Sequence, residues 1–309
     1  FFSYQKRKNI KRKKCSLDKG LEGLFVESFK HKATQDQIKT TKEVYKDLMS
    51  ESPMTRLLCG DVGFGKTEVA LRAAFLCVSN SKKVVIVSPT RILSQQLFNV
   101  FYERFNPFGI IVTSSFSEYL KSDDCILIST HKALNNNKVL LGCHFLIIDE
   151  EHRFGVKQKE KIIKTNPLCD VLYMSATPLP RSLQLSLSEQ RNISLISTPP
   201  LSKKQIITRV YFYNKSLIKE VVYNETSRGG QVFIVDKSVS SVRSAFSFIS
   251  EAFPLLSVSC LYASLNFDVI KKTMAAFRSK KIDILVSTTI IESGIDVGGA
   301  NTIIINNAD

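Results

Sequence analysis

Residues Gly60-Asp61-Val62-Gly63-Phe64-Gly65-Lys66-Thr67 fit the pattern G-x-x-x-x-G-K-[ST]. Glycines so spaced let the backbone curl until successive N–H groups converge on one point, and a helix starting there adds the positive end of its dipole. That point suits phosphate oxygens, with Lys66 as the neutralising charge and the Thr67 hydroxyl as a ligand for Mg²⁺. The alternative is an ordinary glycine-rich turn. An apolar run before the loop and a helical pattern after it weigh against that reading. A further constellation follows, in which Phe145-Leu146-Ile147-Ile148 runs into Asp149-Glu150-Glu151-His152, Asp149 standing 83 residues after Lys66. A strand ending in acids puts them at the carboxyl edge, where open α/β sheets bind ligands. Asp149 suits Mg²⁺ held through water, and Glu150 suits polarising an attacking water. Acids after a strand also serve solubility, so the pairing with the phosphate loop carries the weight.

Three weaker signals accompany these. Ser175-Ala176-Thr177-Pro178 closes another apolar run. Its hydroxyls could bond the acids and a moving neighbour, or simply make a turn before proline. The stretch Thr288-Thr289-Ile290-Ile291-Glu292-Ser293-Gly294-Ile295-Asp296 offers hydroxyls to a phosphate backbone, and is compatible with a plain capped helix start. Near the N-terminus Gln37 could bond an adenine edge while Phe29 stacks on the ring. A capped helix beginning at Thr34-Gln35-Asp36-Gln37 accounts for those residues equally well.

These residues need a framework that brings distant strand ends together. From residue 56 short β-branched runs alternate with helical patterns, with strands predicted at 56–60, 83–89, 109–113, 125–130, 144–150, 170–175 and 193–197 and helices at 65–79 and 92–105. Continuous apolar runs of this length suit strands buried on both faces, and the alternation implies βαβ units in a doubly wound parallel sheet. Thr198-Pro199-Pro200 breaks the rhythm. It restarts with strands at 231–235, 257–261, 283–287 and 302–305 and helices at 239–252 and 267–278. The expected organisation is a basic helical segment at 1–33, a first α/β domain at 34–198, a linker at 199–206 and a further α/β domain at 207–309. That last domain is expected to be incomplete, because the chain stops directly after a strand. A chain that begins with Phe1 reads as an excerpt or a processed product.

A length of 309 residues sets a prior of two domains, and 44% hydrophobic with 23% charged residues is ordinary globular usage, which excludes disordered and fibrous classes. The longest apolar runs are a few residues, far short of the about 20 that cross a bilayer. Seven cysteines without a C-x-x-C spacing read as reduced and intracellular, and four histidines in no metal-ligand spacing argue against a zinc site. The net charge of +15 points to a polyanionic partner, nucleic acid first. Residues 1–20 carry eight basic side chains against one acid, Asp18, which fits either that role or a solvated tail.

Taken together, GDVGFGKTEVALRAAF (60–75), DEEHRFGVKQKEKIIK (149–164), SATPLPRSL (175–183), RGGQVF (228–233), TTIIESGIDV (288–297) and ANTIII (300–305) resemble superfamily 2 helicases and translocases, and within them the transcription-repair coupling factor family. The branch-migration helicases that rescue stalled forks have similar blocks, and RNA helicases or a decayed nucleic-acid-binding module of the same superfamily are further alternatives. The resemblance implies two RecA-like lobes with ATP and Mg²⁺ between them, the second lobe truncated, working as a motor on double-stranded DNA. It implies RNA polymerase and excision-repair proteins as partners through domains not in this chain, no membrane, and a bacterial-type cytoplasm, nucleoid-associated, or an organelle of bacterial origin. Carried over by position, Lys66, Asp149 and Glu150 are catalytic, with Thr67 and Asp149 on the metal. Phe29, Gln37, Gly60, Asp61, Gly63, Gly65, Glu68, Gly294 and Asp296 join the nucleotide site. Thr90, Arg91, Thr130, His131, Thr288 and Thr289 face nucleic acid, while Ser175, Ala176 and Thr177 couple hydrolysis to movement. The chain departs from the family at Thr55, where Asp is usual, at Arg91, where Thr is usual, and at Tyr262-Ala263-Ser264-Leu265, where the family carries His-Gly-Gln-Met. The family's arginine-finger motif would follow Asp309, so the expectation is ATP binding with weak hydrolysis.

Overall fold

The computed structural model describes residues 7, 10–176, 192–200, 206–262, 264–288 and 299–308. The chain divides into two compact units, residues 1–204 and 205–309. The first runs α1 (Lys19–Glu27), α2 (Gln35–Leu48), β1 (Thr55–Gly60), α3 (Lys66–Val78), β2 (Val84–Ser88), α4 (Arg91–Phe105), β3 (Ile111–Thr113), α5 (Phe116–Lys121), β4 (Cys125–Thr130), α6 (Lys132–Asn135), α7 (Asn137–Leu141), β5 (Phe145–Ile148), α8 (Val156–Thr165), β6 (Asp170–Ser175) and β7 (Asn192–Ile196). Its strands form one sheet of seven in the order β3-β4-β2-β5-β6-β1-β7, and the ladders are parallel.

The strands read as unbroken apolar runs because both faces are covered. Val84 and Ile86 join one buried cluster with Phe75 and Phe101. Val85 and Val87 join the other, with Tyr119 and Tyr173. Phe145 and Ile147 divide from Leu146 and Ile148 in the same way, as the period-two geometry of a strand requires.

The basic N-terminal segment is only partly a solvated tail. Arg7 donates to the carbonyls of Pro167 and Cys169 and to Thr55 Oγ1. Arg12 donates from Nε to Asp170 Oδ1 at 3.0 Å and from its terminal nitrogens to the carbonyls of Leu48 and Asp47, both at 3.1 Å. Asp170 Oδ1 also accepts from the Met54 amide at 2.7 Å. Asp170 begins β6 and Met54 precedes β1, so this buried pair ties the segment to the amino edge of the sheet. Lys82 donates to the Lys13 carbonyl at 2.7 Å, and Phe25 of α1 is fully buried in the core.

The second unit runs α9 (Lys215–Ser227), β8 (Gln231–Asp236), α10 (Val239–Ala252), β9 (Val258–Leu261), α11 (Phe267–Arg278), β10 (Ile284–Thr288) and β11 (Ala300–Ile305). Its parallel sheet has the order β11-β8-β10-β9. Both units are parallel-sheet α/β structures of the RecA-like kind, the second built on the shorter sheet. Edge strand β11 alternates in burial and exposes Ile303 and Ile305. All seven cysteines are free, and no helix among the described residues is long and apolar enough to cross a membrane.

Breaking a buried ion pair by removing one partner costs about 3–5 kcal/mol. Arg12→Ala should therefore lower the stability of the first unit by that amount in equilibrium urea unfolding. The Lys11–Glu51 pair is solvent-exposed, and Lys11→Ala should cost less than about 1 kcal/mol. Another prediction concerns Asp36, whose Oδ2 accepts from the Thr198 hydroxyl at 2.8 Å and from the Ser197 and Thr198 amides at 2.9 and 2.8 Å. Those bonds, the Thr198 hydroxyl first, hold its carboxyl below the ordinary carboxylate range. A depressed acid stabilises above its unfolded pKa of about 3.9 and loses that contribution as pH falls through its folded value. Hydrogen-exchange protection at Ser197 and Thr198 should be level near neutrality and fall below about pH 4. In Asp36→Ala it should be low throughout.

Candidate functional site

The adjacency β5-β6-β1 in the sheet decides the site. These strands end at Ile148, Ser175 and Gly60, and the register pairs Cys59 with Ser175 and Ile148 with Tyr173. The residues following each strand therefore emerge side by side at the carboxyl edge. Gly60 to Lys66 form the turn from β1 into α3. Gly63 and Gly65 take φ of +78° and +83°, a region closed to most side chains. At Gly65 a Cβ would stand 2.2 Å from Gln37 Nε2, so the loop is packed as well as curled.

Lys66 Nζ donates to the carbonyl oxygens of Gly60 at 2.6 Å and Asp61 at 3.1 Å. Burial lowers the pKa of this ammonium, while Asp149, Glu150 and Asp61 hold it up. Asp149 is pushed up to about 6, by burial first and then by the Glu150 charge, against the Glu150 amide and Lys66. Asp149 Oδ1 accepts from that amide at 3.0 Å. Glu150 is buried, takes a left-handed φ of +51°, and its Oε2 has no hydrogen-bond partner. His152 Nδ1 stands 3.5 Å from that oxygen, longer than an ordinary hydrogen bond. A buried carboxylate at a left-handed backbone position, with one oxygen lacking a hydrogen-bond partner and a second acid and an ammonium beside it, is an arrangement suited to binding. The donor set suits Mg²⁺. Among the described residues no three His, Cys, Asp or Glu side chains converge on a metal position, and Mg²⁺ fills its shell with water and phosphate oxygens around one or two carboxylates.

Gln37 is the third residue of a capping box on α2. Its Oε1 accepts from the Thr34 amide at 3.0 Å and its own amide donates to Thr34 Oγ1 at 3.2 Å. The structure thus shows the capping role directly. Gln37 Nε2 also donates to the Phe64 carbonyl at 2.8 Å, linking the cap to the glycine loop. Phe29 packs edge-on against His31 with centroids 5.5 Å apart, and Glu68 is buried in the first turn of α3.

Thr90 caps α4 and accepts from the Leu93 amide, and Arg91 is exposed. Ser88 pairs with Thr130 across β2 and β4, so Thr90, Arg91, Thr130 and His131 share one stretch of the carboxyl edge. Ser175 is buried at the end of β6, followed by Ala176. Thr288 is buried at the end of β10. Thr177, Thr289, Gly294 and Asp296 lie outside the described residues. Sequence reasoning assigned no role to two residues of interest. His152 was part of the strand-end constellation, standing two residues after Glu150. Arg104, which donates to Glu68 Oε1, had no signal, because its partners are remote in sequence.

Residues 34–185 match the sequence model of the DEAD/DEAH box helicases, and residues 213–309 match the helicase conserved C-terminal domain. The transcription-repair-coupling factor of Borreliella burgdorferi is 42% identical over 318 residues, covering 99% of this chain and 28% of that protein. The chain belongs to the helicase family of the transcription-repair-coupling factors. A chloroplastic ATP-dependent DNA helicase of Arabidopsis thaliana is 42% identical over 91% of the chain and 36% of its own length. The chain therefore spans about a third or less of these curated relatives. Among solved structures, RecG bound to a three-way DNA junction superposes with a TM-score of 0.77 at 30% identity, over 99% of this chain and 43% of that one.

The φ at Gly65 and its contact with Gln37 make one substitution decisive for the loop. Gly65→Ala should displace the Gln37 amide, lengthen its bond to Phe64, and destabilise the first unit by more than about 1 kcal/mol, since strained left-handed residues cost of order 1–3 kcal/mol. Thermal unfolding and the crystal structure of the variant would check it.

Proposed function

We propose that this chain is the ATP-driven motor region of a transcription-repair coupling factor, translocating on double-stranded DNA. In the whole protein that motion would displace stalled RNA polymerase and promote excision repair, with polymerase and repair partners held by parts of the relatives that this chain does not match. The observation that carries the reading is the convergence of the glycine-curled loop, Lys66, Asp149 and Glu150 on one sheet edge. Lys66 and the backbone of 63–67 would hold the β- and γ-phosphates, with Gly60 and Asp61 shaping the turn. Thr67 and Asp149 would hold Mg²⁺, which supplies charge neutralisation in phosphoryl transfer. Glu150, buried with its Oε2 lacking a hydrogen-bond partner, would take a hydrogen bond from the attacking water and orient it. Phosphoryl transfer asks mainly for such positioning and electrostatics.

Thr90, Arg91, Thr130 and His131 would meet the DNA backbone, joined by Thr288 and Thr289 of the second unit. Binding of that kind is salt-dependent and reads no sequence. Ser175, whose strand ends beside the loop, would with Ala176 and Thr177 couple hydrolysis to movement, and Gly294 and Asp296 would complete the nucleotide contacts. A bacterial-type cytoplasm with access to the nucleoid, or an organelle such as the chloroplast of the Arabidopsis relative, fits this role. The likeness to RecG favours a second reading, a branch-migration motor.

Titration calorimetry with Mg-ATP tests the first claim. Lys66→Ala removes charge-assisted bonds of about 1.5–3 kcal/mol, so affinity should fall roughly tenfold to a hundredfold with the unfolding midpoint unchanged. Equal affinity would remove Lys66 from its role. Binding to a linear duplex and to a three-way junction at one salt concentration separates the two readings. Equal affinity supports duplex tracking, and a strong junction preference supports branch migration.

A further inference from the structure

Arg104 sits near the end of α4 with its side chain 13% exposed. Its guanidinium carbon lies 4.6 Å from the ring centroid of Phe25 and 5.4 Å from that of Phe29, so a planar cation stands against both rings. Nη2 donates to the Phe25 carbonyl at 3.2 Å and to Glu68 Oε1 at 3.4 Å. Glu68 is already paired with Arg72 at 2.8 Å. The ion pair alone is therefore a weak reason to bury a second arginine, because burying a charge costs several kcal/mol before pairing offsets it. Arg104 Nε and Glu68 Oε2 are both buried without a hydrogen-bond partner. What Arg104 gains beyond the pair is the bond to the Phe25 carbonyl and contact with the two rings.

The two rings differ. Phe25 is fully buried and stacks on Phe75 with centroids 4.1 Å apart. Phe29 is only half-buried. Phe75, Phe25, Arg104 and Phe29 thus form a column from core to surface, and its outermost member is an aromatic ring. Two connections tie this column to the phosphate loop. Glu68 follows Thr67 directly and bonds Arg104. Phe29 shortly precedes the α2 cap, whose Gln37 bonds the Phe64 carbonyl.

We propose that Arg104 is a positioning residue for the nucleobase: it holds the Phe29 ring as a stacking platform for a purine at a set distance from the phosphate loop. This rests on the nucleotide-binding reading above. Arg104 touches neither base nor phosphate; it acts through Phe29 on one side and through Glu68 on the other. Stacking of a base on an aromatic side chain contributes about 1–3 kcal/mol, so the platform matters for a ligand with a base and not for phosphates alone.

The test compares Mg-ATP with Mg-tripolyphosphate, which lacks base and sugar, by titration calorimetry on the full chain. Arg104→Lys keeps the positive charge beside Glu68 and removes the planar stacking face. Arg104→Lys and Phe29→Leu should each weaken ATP binding at least fivefold and change tripolyphosphate binding less than twofold. The double variant should bind ATP no more weakly than Phe29→Leu alone. Equal weakening of both ligands by Arg104→Lys would overturn the proposal, as would a loss in Phe29→Leu that Arg104→Lys does not share. The chain has no tryptophan, so Phe29→Trp supplies a single fluorescent reporter that needs no change at Arg104. Its emission should shift with ATP and stay constant with tripolyphosphate, and an unchanged signal with ATP would also overturn the proposal. Wild-type chain that binds neither ligand would instead refute the nucleotide reading, and this inference with it.

Discussion

Lys66, Asp149 and Glu150 are brought together because β1 and β5 end at one edge of a parallel sheet with only β6 between them. Two carboxylates and an ammonium would be freely hydrated on an open surface. At the sheet edge, burial raises the cost of each charge and makes each answer to the others. Asp149 shows the effect, pushed up to about 6 by burial and by Glu150 although Lys66 pulls it down. An edge so charged favours a ligand that brings compensating cation and anion together, as a metal-bound phosphate does.

The rest of the first unit holds that edge still. Both faces of the sheet are covered, so neighbouring strands cannot slide without moving two buried layers. At the opposite edge Arg12 and Asp170 close the N-terminal segment over the starts of β1 and β6. The loop itself is supported from the side, where Gln37 fills the space a side chain at residue 65 would need. The Arg12–Asp170 pair acts at the far end of the strands, while Gln37 acts on the loop itself at Phe64, two residues before Lys66.

The helicase reading also orders features that the motifs alone leave unconnected. Thr90 and Arg91 start α4, and Arg104 lies near its other end against Phe29 and Glu68. A single helix of 15 residues, about 22 Å long at 1.5 Å per residue, therefore joins the proposed nucleic-acid edge to the proposed base platform. In the second unit the departure from the family at Tyr262 finds a local partner, since the Arg243 guanidinium lies 5.5 Å from the Tyr262 ring centroid.

Much of this was legible in the sequence. Strands 125–130 and 170–175 and helices 239–252 and 267–278 emerge at the residues their patterns predict. Apolar runs and helical periodicity are local properties that survive packing. Helix Lys215–Ser227 was not legible, because few of its residues are buried and its pattern has no strong apolar stripe. The glycine spacing and the acids after 145–148 likewise marked the loop and the strand end that the sheet brings to one edge. Which strands stand next to which, and so whether Lys66 meets Asp149, was decided by the tertiary structure. So were the Arg12–Asp170 pair, 158 residues apart, the Gln37–Phe64 bond and the Arg104 column. The reason is physical: backbone conformation follows from near neighbours, whereas strand order and side-chain partners follow from how whole layers pack, and no spacing along the chain encodes that.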